Sequence, residues 1–168
     1  MFNDIFNEKD MIELQELLRA NKMTITTAES CTGGLVAHLI TKISGSSDIF
    51  NGAIVSYSND IKHKELKVKN ETLKSFGAVS KETVEEMLKG TLEKFSANFA
   101  IAISGIAGPS GGTKNKPVGT VVIGICDSKD HKIVDTYHFK GTREEVQIQA
   151  AKTSLKKIYK FLLKSLDK

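Results

Sequence analysis

Thr24-Ile25-Thr26-Thr27-Ala28-Glu29-Ser30-Cys31-Thr32-Gly33-Gly34 is the stretch on which the fold turns. A short β-branched run breaks into a polar, glycine-ended turn. Apolar residues at helical spacing, Leu35, Val36, Leu39, Ile40 and Ile43, follow at once. The pattern is a strand–turn–helix junction that carries a carboxylate, two hydroxyls and a thiol. Backbone N–H groups at a helix start have no intrahelical partner and favour an anion or a developing oxyanion. A nucleophile is well sited there, so this junction is the expected seat of function.

On the N-terminal side, Asp10 can cap a first helix with Glu13 as capping-box partner, and Met11, Leu14, Leu17 and Leu18 form its apolar face. The opening strand itself reads as Met23 to Thr27. On the C-terminal side, Gly45-Ser46-Ser47 ends the helix, and Asn51 to Tyr57 reads as a second strand. That strand runs into Ser58-Asn59-Asp60, a helix-start cluster. Asn70 to Phe76 reads as a helical turn closed by Gly77. Ser80 then caps a helix striped by Val84, Met87, Leu88, Thr91, Leu92 and Phe95, with its acids early and Lys94 late, as the helix dipole prefers. Gly90 weakens this helix locally.

Phe99 to Ser104 is a near-continuous apolar run, suited to a central strand buried on both faces. A long glycine-rich loop follows. Thr120 to Cys126 and Lys132 to Phe139 read as an antiparallel hairpin across Asp127 to Asp130. Thr142 and Glu145 make a second capping box for a last helix carrying Val146, Ile148, Ala151, Leu155, Ile158 and Leu162. Helices alternating with strands predict a single α/β domain over residues 1–168. It is expected to be a three-layer α/β/α arrangement whose sheet is mixed and mostly parallel, with a late antiparallel hairpin.

A chain of 168 residues can bury a core without disulfide or metal staples. Cys31 and Cys126 are too few for a disulfide framework, and Met1-Phe2-Asn3-Asp4 has no basic n-region; a cytoplasmic location is expected. No apolar run has the length of a membrane span. The net charge is +4, with lysines densest at Lys152, Lys156, Lys157, Lys160 and Lys164. These read as a solvated helix face, since neither aromatic interleaving nor a nucleic-acid-binding motif accompanies them. An anionic small substrate suits the mild positive balance.

Three polar clusters converge if the strands lie side by side, because ligands in open α/β sheets bind beyond the C-terminal strand ends. They are Glu29 to Gly34, then Tyr57-Ser58-Asn59 with Lys62, then Ser104 to Thr113. A serine hydroxyl needs a base to act as a nucleophile, and a desolvated lysine can serve. Ser30, Tyr57 and Lys62 make one such set, with the tyrosine between as relay. Cys31 is the rival, since a thiol at a helix start is easily ionised. Ser30 and Thr32 as plain helix caps, with Lys62 as a surface charge, is the alternative. His38, His63, His131 and His138 form no convincing base, and no Cys or His pair has zinc-ligand spacing. The glycine-rich loops match neither the Walker nor the dinucleotide pattern, so no cofactor is expected. They can still form an anion nest, for which Lys116 and Arg143 are the nearest cations.

Thr27 to Gly34, Tyr57-Ser58-Asn59, Gly77-Ala78-Val79-Ser80, Ser104-Gly105-Ile106-Ala107-Gly108-Pro109 and Lys116 to Val121 occur in this order in one family. By these blocks the sequence resembles the CinA C-terminal domain family, the nicotinamide mononucleotide deamidases, from about Asp10 to the last helix. The resemblance implies hydrolysis of the carboxamide of nicotinamide mononucleotide to nicotinic acid mononucleotide and ammonia, in pyridine-nucleotide salvage and without a metal. It implies Ser30 as nucleophile, with Lys62 and Tyr57 as base and relay. Glu29, Thr32, Gly33, Gly34, Asn59, Ser104, Gly105, Gly108 and Arg143 are the expected substrate-binding positions, Arg143 for phosphate or carboxamide. The oxyanion donors are expected among the N–H groups of Cys31 to Gly34 or of Gly105 to Ile106.

Two positions depart from the family pattern. Ser104 stands where threonine is common, which keeps a hydroxyl. Gly141-Thr142-Arg143 lacks the acid of a usual Gly-Asp-Arg, although Thr142 can still cap the helix. Larger members carry an N-terminal domain of a molybdopterin-binding type, and the pyrophosphatase activity associated with it is not expected from 168 residues. The expected partner is a small-molecule nucleotide, with no nucleic acid and no membrane, and self-association as a homo-oligomer, first of all a dimer. The alternative is a catalytically silent domain that binds a nucleotide or a partner linked to competence and recombination.

Overall fold

The structure, a computed structural model, describes residues 1–167. Five strands form one sheet in the order β2-β1-β3-β4-β5: β1 Ile25–Glu29, β2 Phe50–Val55, β3 Phe99–Gly105, β4 Thr120–Asp127 and β5 Lys132–His138. β1 pairs in parallel with both β2 and β3, whereas β4 and β5 add as an antiparallel hairpin. The expected mixed sheet is therefore present.

Helices cover both faces. On one lie α1 Glu8–Ala20, α2 Leu35–Thr41 and α6 Arg143–Leu166, packed with Ile25, Ile101, Ile103, Ile123 and Ile125. On the other lie α3 Asn59–Leu66, α4 Asn70–Phe76 and α5 Lys81–Phe95, packed with Ala28, Ala100, Ala102 and Val122. Strands β1 and β4 are buried along their whole length and β3 nearly so, as the apolar runs require when helices cover both faces. Among the described residues no helix is long and apolar enough to cross a membrane.

Three local signals are met as read. Ser58 and Ser80 cap α3 and α5 by accepting from the N–H groups of Ile61 and Thr83, and Thr142 with Glu145 forms a capping box at α6. The start of α1 differs. Its cap is Asn7, and Asp10 is the box partner rather than the cap. Both residues are good cap formers, and the side-chain fit of Asn7 to the Asp10 N–H decided between them. Strand β1 also runs two residues past the expected Thr27, to Glu29, because β3 continues to offer ladder partners.

Gly90 has a packing reason. A Cβ there would lie 2.0 Å from the carbonyl oxygen of Leu66, so only glycine lets α5 accept the end of α3 this closely. The helix-propensity cost, about 1 kcal/mol, is offset by the close packing of α3 against α5.

Candidate active site

The C-terminal ends of β1, β2 and β3 share one edge, and a cleft of about 280 Å³ opens there. Its walls include Ser30, Cys31, Tyr57, Asn59, Lys62, Ser104, Gly105, Gly108 and Arg143, drawn from all three clusters. Most of the expected site residues are thus brought together by one strand edge.

Lys62 occupies the first turns of α3 and points inward. It is 1% exposed, one of the largest fully buried side chains of the protein. Its Nζ donates to Ser30 Oγ at 3.0 Å and to the Ser56 carbonyl at 2.7 Å. Burial pulls its pKa from the ordinary 10.5 to about 8, since a low-dielectric surround disfavours the charged form. Among the described residues no carboxylate forms an ion pair with it. A lysine in this state exchanges its proton near neutral pH and faces a serine hydroxyl.

The rival nucleophile is silenced by the same physics. Burial pushes the Cys31 thiol up to about 12, with the Glu29 charge adding to the effect. The expected activation by a helix start fails for a specific reason. Helix α2 is short, and its first free N–H groups already have an anion, the carboxylate of Glu29.

Glu29 is fully buried. Its Oε1 accepts from Thr32 Oγ1 at 2.7 Å and from the Val36 N–H at 2.9 Å; its Oε2 accepts from the Ala37 N–H at 2.9 Å and from Thr27 Oγ1 at 3.3 Å. Four donors saturate it, so Glu29 clamps the turn. Thr32, spent on that clamp, also leaves the cleft. Gly33 and Gly34, with φ of +60° and +100°, roll the chain away once the Gly33 N–H has bonded the Ser30 carbonyl at 2.9 Å. Together with Thr32 they line a separate groove beside His38, Glu144 and Gln147. None of these four residues lines the cleft.

Tyr57 lines the cleft but is 58% exposed, at its rim. Its hydroxyl accepts from Arg143 Nη2 at 2.5 Å, while Arg143 Nη1 donates to the Gly108 carbonyl at 2.7 Å. Among the described residues no hydrogen bond joins Tyr57 to Lys62 or Ser30, and the tyrosine steadies Arg143. The guanidinium has five N–H donors, and two protein acceptors leave three for a ligand. Lys116, the other candidate cation, lies outside this cleft and donates to the Phe76 carbonyl.

Ser104 is 1% exposed, lines the cleft, and has no hydrogen-bond partner for its Oγ. A buried hydroxyl of this kind is rare. Two contributors escaped the sequence reading. Ser56 acts through its carbonyl on Lys62, and a backbone atom leaves no trace in residue type. Gln147 donates from Nε2 to the Cys31 carbonyl at 2.9 Å. It stands four residues after Arg143 and so on the same helix face, a spacing that could have pointed to it.

A family model described as the CinA C-terminal domain matches residues 8–162. A CinA-like protein of Thermotoga neapolitana is 44% identical over 157 residues, and one of Endomicrobium trichonymphae is 50% identical over 139 residues. They align with 93% and 83% of this chain but with 38% and 32% of their own length, so the chain spans about a third of these relatives. Among solved structures, the competence/damage inducible protein CihA from Agrobacterium tumefaciens superposes with a TM-score of 0.84 at 37% identity, over 91% of this chain and 95% of that one. A competence or damage-inducible protein from Enterobacter asburiae superposes with 0.88 at 32% identity, over 92% and 96%.

Proposed function

The chain belongs to the CinA C-terminal domain family, and on that premise we propose that it hydrolyses the carboxamide of nicotinamide mononucleotide by a serine–lysine mechanism. The contact between Lys62 Nζ and Ser30 Oγ, with Lys62 buried and its pKa near 8, carries the reading. Acyl transfer needs a base that is neutral close to working pH, and this lysine qualifies without a histidine.

In the proposed cycle, Ser30 Oγ attacks the carboxamide carbon and Lys62 Nζ takes the hydroxyl proton. Lys62 returns that proton to the amide nitrogen as the C–N bond breaks, releasing ammonia and leaving an acyl ester on Ser30. Water, deprotonated by Lys62, then cleaves the ester to nicotinic acid mononucleotide and frees Ser30. The unpartnered Ser104 hydroxyl in the cleft wall suits the carboxamide nitrogen, and the free donors of Arg143 suit the phosphate. Asn59, exposed at the mouth of the cleft, suits the ribose.

The test is ammonia release from nicotinamide mononucleotide, with nicotinamide and glutamine as controls. Ser30→Ala is expected to abolish release and Cys31→Ala to keep most of it. Full activity in the serine variant refutes the assignment. No turnover of any of the three substrates by the unaltered chain favours the silent binding domain.

A further inference from the structure

Acyl transfer requires a donor for the oxyanion, and several of the backbone N–H groups near Ser30 are already engaged. Ser30 itself donates to the Ile103 carbonyl at 3.0 Å. Gly33 and Leu35 close the turn on Ser30 and Thr32, while Val36 and Ala37 belong to Glu29. On the other loop, Ile106 donates to the Thr120 carbonyl at 2.8 Å. None of these is free to bind an oxyanion.

Gly105 is different. The parallel ladder between β1 and β3 continues one bond past β1, through Ser30 to Ile103. Its next rung would run from the Gly105 N–H to the Ser30 carbonyl. That carbonyl accepts from Gly33 instead, and the chain turns away. Gly105 has no recourse on its other side. The bond from Ile106 to Thr120 makes 106–120 a bonded pair, so the adjacent pair, Gly105 with Val121, is the non-bonded kind in the alternation of an antiparallel ladder. The Gly105 N–H therefore faces the end of β1, beside Ser30, in a cleft that both residues line. Unpaired backbone donors in folded proteins are uncommon, and those in a cleft wall are available to a ligand.

We infer that the Gly105 N–H is an oxyanion donor for Ser30, orphaned because Gly33 takes its ladder acceptor. The inference rests on the serine mechanism proposed above. The glycine has its own cause: a Cβ at 105 would lie 2.8 Å from Val121 Cγ2 and 2.9 Å from the Thr120 carbonyl oxygen. Glycine lets β3 run close against β4 while its N–H looks the other way. Removing a donor of this type lowers rates by roughly 10²- to 10³-fold in serine hydrolases.

Boronic acids mimic the tetrahedral state. Ser30 Oγ forms a bond to trigonal boron, its proton passes to Lys62, and the boronate carries the negative charge. The full chain labelled with serine carbonyl ¹³C and glycine ¹⁵N reports on three peptide links, Ser44-Gly45, Ser104-Gly105 and Ser110-Gly111. With pyridine-3-boronic acid, the Gly105 amide proton is expected to move far downfield while Gly45 stays, and Ser30→Ala is expected to remove the shift. A tetrahedral boron signal that depends on Ser30, with Gly105 unmoved or Gly111 moving in its place, overturns this inference and leaves the serine mechanism standing. A Gly105 shift that persists in Ser30→Ala overturns it too, as simple ligand proximity. Absence of any adduct removes the inference together with the nucleophile on which it depends.

Discussion

Lys62 Nζ lies 3.0 Å from Ser30 Oγ, although the two residues are 32 apart in sequence and come from different elements. Neutral, the amine offers a lone pair to the hydroxyl; charged, it only donates. Substituting Lys62 by methionine removes the base, and substituting it by arginine keeps a permanent charge. Both variants are expected to lose roughly 10²- to 10⁴-fold in ammonia release, the usual contribution of a positioned base. Near-normal turnover in Lys62→Arg would show that no neutral amine is needed. In the unaltered chain kcat/KM should rise with pH and level off above about 8, where the buried lysine loses its proton.

The same lysine makes stability depend on pH, with a definite sign. Its folded pKa of about 8 lies below the ordinary 10.5, so between these values the unfolded chain holds a proton that the folded chain does not. Stability should therefore rise with pH across that window. Below pH 8 the full penalty is present, about 3 kcal/mol at 1.36 kcal/mol per pKa unit. Urea unfolding of Lys62→Met against the unaltered chain tests it. The variant should gain most at pH 7, and the gap should narrow toward pH 10.5; a constant gap contradicts the assignment.

Arg143 and Tyr57 should separate kinetically. Arg143→Ala is expected to raise KM for the nucleotide by roughly 10- to 100-fold, the equivalent of one charge-assisted contact. Tyr57→Phe removes a hydroxyl that holds Arg143 and is not bonded to the reacting pair. Its effect should fall mainly on KM, with kcat reduced by less than the roughly 10²-fold expected for a proton relay. A kcat collapse in Tyr57→Phe would restore the relay.

Glu29 should behave as a structural clamp. Glu29→Gln keeps the shape but turns one acceptor oxygen into an N–H group facing donors. A stability loss of about 3 kcal/mol is expected from the disrupted buried bonds, read as a lower unfolding midpoint in urea. An unchanged midpoint would mean that the turn is held by other contacts.

Much of this protein is local enough to be legible. Ser58, Ser80 and Thr142 cap their helices because a side-chain oxygen needs only the N–H three residues ahead. The run from Phe99 becomes a central strand because helices on both faces leave no place for polar side chains. Ser30, Lys62 and Arg143 could be singled out because their types suit the chemistry and their positions follow strand ends. The start of α1 was less legible: Asp10 reads as its cap, yet Asn7 holds that place, since two good cap formers three residues apart differ only in which side chain reaches which N–H.

Residue type and spacing by themselves determined the alternation of helices and strands and the three clusters at strand ends, and resemblance of the quoted motif blocks pointed to the family. Only the tertiary structure decided how the opening turn is used. Whether Glu29 faces substrate or backbone, and whether Tyr57 bonds Lys62 or Arg143, depends on contacts between elements distant in sequence. Whether Cys31 ionises depends on how deeply those elements bury it. The donors of a strand–turn–helix junction are the same in any such sequence. Here Glu29 and the turn carbonyls take most of those near Ser30, and the backbone of β3 supplies Gly105 from across the sheet.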